Sequence, residues 1–295
     1  MSDRVLAAPL SAFVRRRAAR RAGAAGAASR PPYVLLAIVA ALVVVALAGP
    51  WLAPQDPDSV DLLAALQPPS SAHLLGTDGS GRDILSRLLT GARSSLLAPL
   101  VVTVVATLLG SVLAIVGAWR GGWVDGVVAR LLDVLFSFPG LLLAILAAAV
   151  FGTGLTAPVI ALCISYVPYV ARIVRSAAVR ERALPYVSAL ELQGLAGFAI
   201  CARHLVPNVA TTIGAQAAIT FGYAMVDLAA INFLGLGLES TSSDWGVMVA
   251  AGQSSILRGR PEEALFAGVA IVIAVVTVNL LAQRLERGAV LESPR

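Results

Sequence analysis

Long apolar runs separated by short polar segments dominate the chain. Six runs reach the roughly 20 residues that an α-helix needs to cross the hydrocarbon core of a bilayer. The fourth run contains two prolines, which membrane helices tolerate when neighbouring helices satisfy the freed carbonyls. The pattern therefore predicts an all-α, polytopic membrane protein with six transmembrane helices. The predicted spans are Tyr33–Leu52, Ser94–Trp119, Val127–Gly152, Thr156–Val174, Val209–Leu236 and Ala264–Ala282.

Composition agrees with this fold class. Of the 295 residues, 58% are hydrophobic and 13% are charged, whereas about a quarter of the residues of a soluble domain are charged. The two cysteines fall in different environments, Cys163 inside a predicted span and Cys201 in a polar segment. We therefore predict neither a disulfide nor a metal site.

The distribution of arginines predicts the topology. All 22 basic residues are arginines, and with a cytoplasmic N-terminus only five of them, leaving 17 inside, fall in predicted outer segments. The positive-inside rule then places both termini in the cytoplasm, and the net charge of +5 reflects topology rather than a nucleic-acid partner. A cleaved signal peptide is disfavoured, because the first apolar run exceeds the usual 7–15 residues of a signal core. The five outer arginines are Arg82, Arg87, Arg93, Arg258 and Arg260.

These features divide the chain into four parts. Residues 1–30 form a cytoplasmic arginine-rich tail, and residues 31–93 hold the first transmembrane helix and a periplasmic loop. Residues 94–286 form the core with the other five spans, including a cytoplasmic loop at about 178–208. Residues 287–295 are a second cytoplasmic tail.

Sequence motifs of enzymes are missing. A nucleotide-binding P-loop requires a lysine, and this chain contains none. Asp133 and Asp227 lie in or near predicted spans but belong to no recognisable catalytic motif, and single carboxylates in spans more often line polar paths or pair with arginine. We therefore predict a chain without enzymatic activity. A passive channel, a secondary transporter and a membrane-embedded enzyme are the remote alternatives.

The semi-polar loop between the fourth and fifth spans has local helix signals. Pro185 can begin a helix, and Gly194 can adopt the left-handed conformation that ends one. A second short helical piece is expected to end at Pro207, because the residue before a proline avoids the helical region. Physical chemistry alone leaves two interpretations equal: a surface that a partner protein pushes, or an amphipathic helix at the membrane interface.

The same loop resembles the "EAA" loop of permease subunits in ATP-binding-cassette importers, in which a glycine precedes a proline by thirteen residues. Gly194 and Pro207 have that spacing. The E-A-A triplet of the family falls on Ser188, Ala189 and Leu190, of which only the alanine matches. The resemblance implies that this loop contacts an ATPase subunit. The residues it implicates are Tyr186, Ser188, Ala189, Leu190, Glu191, Gly194, Arg203 and Pro207.

Two further stretches resemble the C-type permease subunit of dipeptide and oligopeptide importers. The first is "HLLGTDGSGRDILSRLLTGARSSL" and the second is "DLAAINFLGLGLESTSSDWGVMV". Read locally, Ser80 and Asp83 fit a helix-capping pattern and Asp83 can pair with Arg87 one turn later. The positions that match the family are Gly76, Thr77, Asp78, Gly81, Arg82, Asp83, Ser86, Arg87, Phe233, Leu234, Gly235, Gly237, Trp245 and Gly246.

The resemblance implies a type I importer permease fold in the bacterial cytoplasmic membrane. This chain would form half of a pore for di- and oligopeptides, beside a homologous second permease. Two ATPase subunits would bind ATP and Mg²⁺, an extracytoplasmic binding protein would deliver the cargo, and this chain itself would carry no cofactor. Nickel, haem and other peptide-like cargo remain alternatives, since related permeases share these motifs.

A polar stripe in the fifth span provides candidate pore residues. Gln216, Thr220, Tyr223 and Asp227 are separated by four, three and four residues, which places them on one helical face. The stripe predicts either hydrogen bonds between helices or a water-filled path, and we favour the path. Asp227 lies ~27 Å along the helix from Val209, near the outer mouth, where it can meet a peptide's amino group or an arginine of the partner subunit. The facing candidates in the fourth span are Ser165, Tyr169 and Arg172.

Overall fold

The computed structural model describes residues 33–292, with side chains for residues 33–284. The predicted tail at residues 1–30 lies outside the described part. The described residues are almost entirely helical, and their only strand-like feature is one isolated bridge between Thr77 and Asp83. The all-α prediction is confirmed. The helices are α1 (Tyr33–Leu52), α2 (Ile84–Arg120), α3 (Gly122–Phe136), α4 (Gly140–Phe151), α5 (Thr156–Arg182), α6 (Pro185–Leu192), α7 (Gly197–Ile200), α8 (Val206–Phe233), α9 (Trp245–Ile256) and α10 (Glu262–Glu292), with a 3-10 turn at Leu62–Ala64 and a π-helical segment at Cys201–Leu205.

Five spans in the described residues are single helices, and the sixth is broken. Helices α1, α2, α5 and α10 are each long and apolar enough to cross a membrane, and so is the continuous helix that α7 and α8 form through the π segment. Helices α3 and α4 reach that length only as a pair, bent by 67° at their junction. The predicted third span, Val127–Gly152, therefore falls on this bent pair and not on one continuous helix. Pro139 lies at the junction, where its ring and its missing N–H stop a regular helix.

Several helices extend beyond the apolar runs that predicted them. Helix α2 begins at Ile84, ten residues before the predicted span, because the carboxylate of Asp83 accepts a hydrogen bond from the backbone N–H of Ser86 (2.8 Å) and caps the first turn. Helix α10 continues through Glu292. The predicted boundaries at residues 93/94 and 286/287 thus fall inside helices, since a helix does not stop where its apolar run stops.

Helix α2 forms the centre of the bundle and packs against α1, α5 and α8. A glycine permits its close approach to α5, because a Cβ added at Gly110 would lie 2.9 Å from the carbonyl oxygen of Val167. Small side chains contribute to one of the two main apolar clusters, which joins α2, α4, α5 and α8 and includes Ala106, Ala144, Ala161 and Ala224. Close backbone packing of small residues is the usual way in which membrane helices associate.

Candidate functional site

Helix α6 has a defined start and a defined end. Pro185 occupies its first turn after the extended residue Leu184, as proline prefers. Gly194 follows the helix with φ +81°, and the N–H of Leu195 donates to the carbonyl oxygen of Leu190 (3.2 Å). This left-handed closure is the one that glycine makes at low cost. The predicted helix that begins at Pro185 and ends before Gly194 is confirmed.

One side of α6 is anchored and the other is open. Val187 is buried at 1% exposure, whereas Leu192 and, in the next helix, Phe198 are 90% and 86% exposed. We call the open side the α6 face. Large apolar side chains exposed beside charged ones are typical of surfaces that bind a partner. The α6 face consists of the exposed residues Ser188, Ala189, Glu191, Leu192 and Phe198.

A hydrogen-bonded triad ties α6 to two spanning helices. The hydroxyl of Tyr186 donates to Oε1 of Glu181 at the end of α5 (2.7 Å). The side-chain amide of Asn208 in α8 donates to the same oxygen (2.7 Å) and to the Tyr186 hydroxyl (3.2 Å). Partial burial, and then the bond to Glu181, raise the pKa of Tyr186 above its usual value. The triad therefore links α6 to α5 and α8 through side-chain hydrogen bonds.

A second anchor joins the same region to α2. A guanidinium N–H of Arg182 donates to the carbonyl oxygen of Ala118 (2.7 Å), and its Cζ lies 5.0 Å from the ring centre of Trp119. Gly197 packs so closely on this indole that an added Cβ would lie 2.6 Å from Nε1. The loop therefore contacts three spanning helices through side chains at its two ends.

The prediction that a helix ends at Pro207 is wrong. The chain stays helical from Gly197 through Phe233, and the backbone N–H of Val206 donates to Cys201, five residues earlier. This wider π turn lies just before Pro207. In a regular α-helix, the ring of Pro207 would press against the carbonyl oxygen four residues earlier. Arg203, another predicted coupling residue, is exposed in this segment.

The outer end contains a buried ion network. Arg87 is 1% exposed; its guanidinium pairs with Asp78, lies 3.3 Å from Oε1 of Glu263, and donates to the carbonyl oxygen of Ser242 (2.7 Å). The predicted pair of Asp83 and Arg87 is wrong. Because Asp83 caps α2, its carboxylate is turned towards the first helical turn, and Arg87 points across to α10 instead.

A second buried carboxylate gathers α2, α8 and α9. Asp244 is 3% exposed and accepts hydrogen bonds from the hydroxyls of Ser94 (2.9 Å) and Ser95 (2.6 Å) and from the amide of Asn232 (2.8 Å). The adjacent Trp245 donates its indole N–H to the carbonyl oxygen of Leu88 (2.9 Å). We call the Arg87 and Asp244 networks together the outer lattice. Sequence reasoning identified Trp245 but missed Asp244 and Asn232.

The remaining signature residues shape the loops around the outer lattice. Gly76 and Gly81 have φ of +82° and +79°, which other residues rarely adopt. The hydroxyl of Thr77 donates to the carbonyl oxygen of Ala64 (2.5 Å), and Arg82 donates to that of Thr241 (3.1 Å). Gly237 and Gly246 are buried where an added Cβ would overlap neighbouring atoms, whereas Phe233, Leu234 and Gly235 are exposed.

The candidate pore residues differ in exposure. Ser165 and Thr220 are buried, at 4% and 1% exposure, and the hydroxyl of Ser165 donates to the carbonyl oxygen of Ala161 in its own helix (2.8 Å). Tyr169 and Tyr223 are 43% and 60% exposed. Contact of Ser165 or Thr220 with a path would require helix movement, and the pore role of the whole set stays a prediction. Gln216 and Asp227 are half-buried, and Arg172 is exposed.

Several of these side chains form one continuous surface across α3, α5 and α8. Arg172 donates to Asp133 (2.7 Å), and its Cζ lies 4.1 Å from the ring centre of Phe136. The ring centre of Tyr169 lies 4.7 Å from that of Phe136 and 5.6 Å from that of Tyr166. The Tyr166 hydroxyl donates to Oδ2 of Asp227 in α8 (2.7 Å). We call this surface the aromatic face, and it consists of Asp133, Phe136, Tyr166, Tyr169, Arg172, Tyr223 and Asp227.

The aromatic face is unsuited to contact with lipid. Ionised groups at membrane depth are costly and normally face the bundle interior or a water-filled cavity, yet the side chains of Arg172 and Asp133 are 44% and 62% exposed. The opposite side of α8 is apolar: Gly214, Ala218 and Phe221 line an open groove of about 670 Å³ between α1, α2, α8 and α10. Helix α8 thus divides a polar surface from an apolar one.

Comparisons with known proteins identify the family and the fold. The family model of binding-protein-dependent transport system inner membrane components matches residues 106–288, and that of the N-terminal transmembrane domain of oligopeptide transport permease C matches residues 32–69. A chain of the inward-facing MetNI methionine ABC transporter shares the fold, with a TM-score of 0.57 and 19% identity over 68% of this chain and 95% of that chain.

Relatives of similar length extend the likeness to most of the sequence. A probable D,D-dipeptide transport system permease protein of Escherichia coli is 35% identical over 237 residues, 80% of this chain and 79% of the relative. A di/tripeptide transport system permease protein of Pseudomonas aeruginosa is 34% identical over 242 residues, 80% of each. A nickel transport system permease protein of Escherichia coli is 34% identical over 242 residues, 82% of this chain and 87% of the relative. This chain therefore belongs to the family of binding-protein-dependent transport system inner membrane components and is a multi-pass permease of an ABC importer.

Proposed function

We propose that this permease forms one half of the translocation pore of an importer for di- and oligopeptides. A homologous second permease forms the other half, and two separate ATPase subunits bind ATP and Mg²⁺ and supply the energy. The observation that carries this proposal is the α6 face, which is exposed on one side and tied to α5 and α8 on the other through Tyr186, Glu181 and Asn208.

The triad suggests how force reaches the pore. When the ATPases close, they push on the α6 face, and α6 cannot move without moving Glu181 at the end of α5 and Asn208 at the start of α8. Helices α5 and α8 carry most of the aromatic face, so the same movement changes what that surface exposes. The pore then alternates between outward-facing and inward-facing states, and covalent chemistry takes place only in the ATPases.

The charges support one orientation of the chain. Arginines concentrate in the segments on the α6 side, which the positive-inside rule assigns to the cytoplasm. Both termini and α6 are then cytoplasmic, and the outer lattice lies where an extracytoplasmic binding protein docks. The cytoplasmic orientation of α6 is a requirement of the mechanism, since ATP is available there.

Two cargo classes fit the relatives. The relatives named for D,D-dipeptide and di/tripeptide transport support a peptide cargo. The nickel transport permease of Escherichia coli, at 34% identity, supports nickel as the second candidate. We favour peptides, because among the described residues no group of three histidine, cysteine or acidic side chains converges as a metal ion requires.

Charge placed on the α6 face tests the coupling. Ala189→Asp adds a carboxylate to an exposed position, so the permease should remain folded in the membrane while cargo-stimulated ATP hydrolysis and transport fall at least tenfold in the reconstituted complex. The matched control is Leu257→Asp, which adds the same charge at a residue 90% exposed beyond α9. Full coupled activity of Ala189→Asp, or an equal loss in the control, would leave α6 as an interfacial helix without a partner.

A further inference from the structure

Asp227 differs from most other carboxylates of the spanning helices. Its Oδ2 accepts a hydrogen bond from the Tyr166 hydroxyl (2.7 Å), and none of the ion pairs among the described residues includes it. Three other carboxylates in these helices each meet an arginine of this chain. Those pairs are Asp125–Arg175 (2.6 Å), Asp133–Arg172 (2.7 Å) and Glu263–Arg87 (3.3 Å).

The surroundings of Asp227 suit a cation that comes from outside the chain. The Tyr166 ring lies beside that of Tyr169, with 5.6 Å between their centres, and Tyr169 and Tyr223 are partly open, at 43% and 60% exposure. Aromatic rings attract cations through their negative faces. The same surface already holds one cation in this way, since Cζ of Arg172 lies 4.1 Å from the ring centre of Phe136.

The donor set distinguishes an organic cation from a metal ion. Ca²⁺ takes six to eight oxygen ligands and Ni²⁺ prefers imidazole nitrogens or several carboxylates. Near Asp227 the described residues offer one carboxylate, with one oxygen occupied by a donating hydroxyl, and phenol rings. A primary ammonium needs less: one carboxylate oxygen for a charge-assisted hydrogen bond and ring faces for its remaining charge.

We propose that Asp227, with the rings of Tyr166, Tyr169 and Tyr223, binds the ammonium group of the cargo during its passage. The inference rests on the proposed function, because it requires the aromatic face to border the translocation path. Cargo with a free amino terminus is held briefly at the outer half of α8, because its ammonium group is attracted to Asp227. Cargo in which that amine is blocked passes the same position without this attraction.

The reaction rates of charged thiol reagents report the electrostatic potential that Asp227 produces at a neighbouring cysteine. In the assembled complex without Cys163 and Cys201, Tyr223→Cys and Tyr169→Cys are introduced separately, so that each variant keeps two of the three rings. Each cysteine is treated with a trimethylammonium and with a sulfonate methanethiosulfonate reagent. Each rate is divided by that of the same reagent with free 2-mercaptoethanol, which gives a normalised cation-to-anion ratio.

We expect this ratio to exceed one and to fall about tenfold in Asp227→Asn, as one charge at close range in a partly polar site predicts. The amide oxygen of that variant can still accept the Tyr166 hydrogen bond. Asp227→Glu should keep a high ratio, and so should Asp58→Asn, which removes a charge from the exposed outer loop. Alanyl-alanine should slow labelling more than its N-acetyl derivative does, and this difference should vanish in Asp227→Asn.

The remaining outcomes are distinct. A ratio near one that falls below one in Asp227→Asn would show that an arginine of the partner permease already neutralises the carboxylate, which overturns the ammonium site. Equal slowing, or none, by the two peptides would overturn it as well. If neither cysteine reacts in any state, the aromatic face is not exposed to water, and the pore role in the proposed function fails with it.

Discussion

The two ends of this permease treat their polar groups in opposite ways. At the outer lattice, Arg87 and Asp244 are 1% and 3% exposed, and their partners belong to α2, α8, α10 and the outer loops of the same chain. At the α6 face, Leu192 and Phe198 are 90% and 86% exposed, and only the rear of α6 is anchored. The buried carboxylates and Arg87 at the outer end find their partners within the chain, whereas the large apolar side chains of the α6 face are left open.

This difference separates stability from coupling. A buried network of ion pairs resists displacement, because movement separates its charges in a medium of low polarity. The α6 segment has few such constraints and can move as a unit on its triad. In the proposed mechanism, the outer end stays fixed and movement of the inner end changes the path between them.

The largest effect should come from breaking the outer lattice. Arg87→Met leaves Glu263 buried without its ion pair and Asp78 with Arg82 alone (4.0 Å), and removing one member of a buried pair costs roughly 3–5 kcal/mol. Thermal exposure of the buried thiol of Cys163 to a thiol-reactive dye in detergent should then begin at a much lower temperature. The control is Arg93→Met, which removes an exposed arginine of the same helix and should change little. Equal melting of the two variants would contradict a structural role for the lattice.

An intermediate effect is expected at Gly194. Its φ of +81° makes Gly194→Ala unfavourable by about 1 kcal/mol, although an added Cβ would meet nothing within 4 Å. Gly126→Ala, at an equally open position inside α3, should instead be neutral or slightly stabilising. The measurements are the melting temperature and the cargo-stimulated ATP hydrolysis of both variants. A loss of stimulated hydrolysis only in Gly194→Ala supports a role of the helix end in coupling, whereas unchanged hydrolysis in both variants removes the end of α6 from the mechanism.

The smallest effect concerns the triad behind α6. Tyr186→Phe removes hydrogen bonds to Glu181 and Asn208 and should destabilise the permease by about 0.5–1 kcal/mol. Because the folded state raises the pKa of Tyr186, the neutral phenol stabilises the fold fully below its ordinary value near 10, and this contribution is lost as the pH rises through the folded pKa. The melting difference between wild type and Tyr186→Phe should shrink from pH 8 towards pH 11. If the melting difference between the two proteins did not change with pH, the loss of stability in Tyr186→Phe would not come from the hydrogen bonds of the neutral phenol.

Local signals in the sequence predicted local structure well. Pro185, Gly194 and Asp83 act within one turn of their own position, so the ends of α6 and the start of α2 follow from the chain alone. The partners of Arg87 do not: they are Asp78 in the preceding loop and Glu263, which lies 176 residues away, whereas helical spacing selected Asp83. The bend between α3 and α4 was missed because apolar composition continues across Pro139.

The candidate site was predictable to a similar extent. Helical spacing brought Tyr223 and Asp227 to one side of α8, but it could not show that Thr220 is covered by neighbouring helices. Phe136 and Tyr166, which complete the aromatic face, carry no distinctive signal in their own helices. Their role emerges only from how α3 and α5 pack beside α8.

Amide hydrogen exchange tests the central claim, that the outer end is complete and α6 is completed by a partner. The two permeases are reconstituted alone and with the ATPase subunits, and exchange is followed in α6 (Pro185–Leu192) and at the start of α2. We predict that the ATPases slow exchange in α6 at least tenfold and leave the already protected amides around Arg87 unchanged. Unchanged exchange in α6, or new protection confined to the outer lattice, would contradict the account.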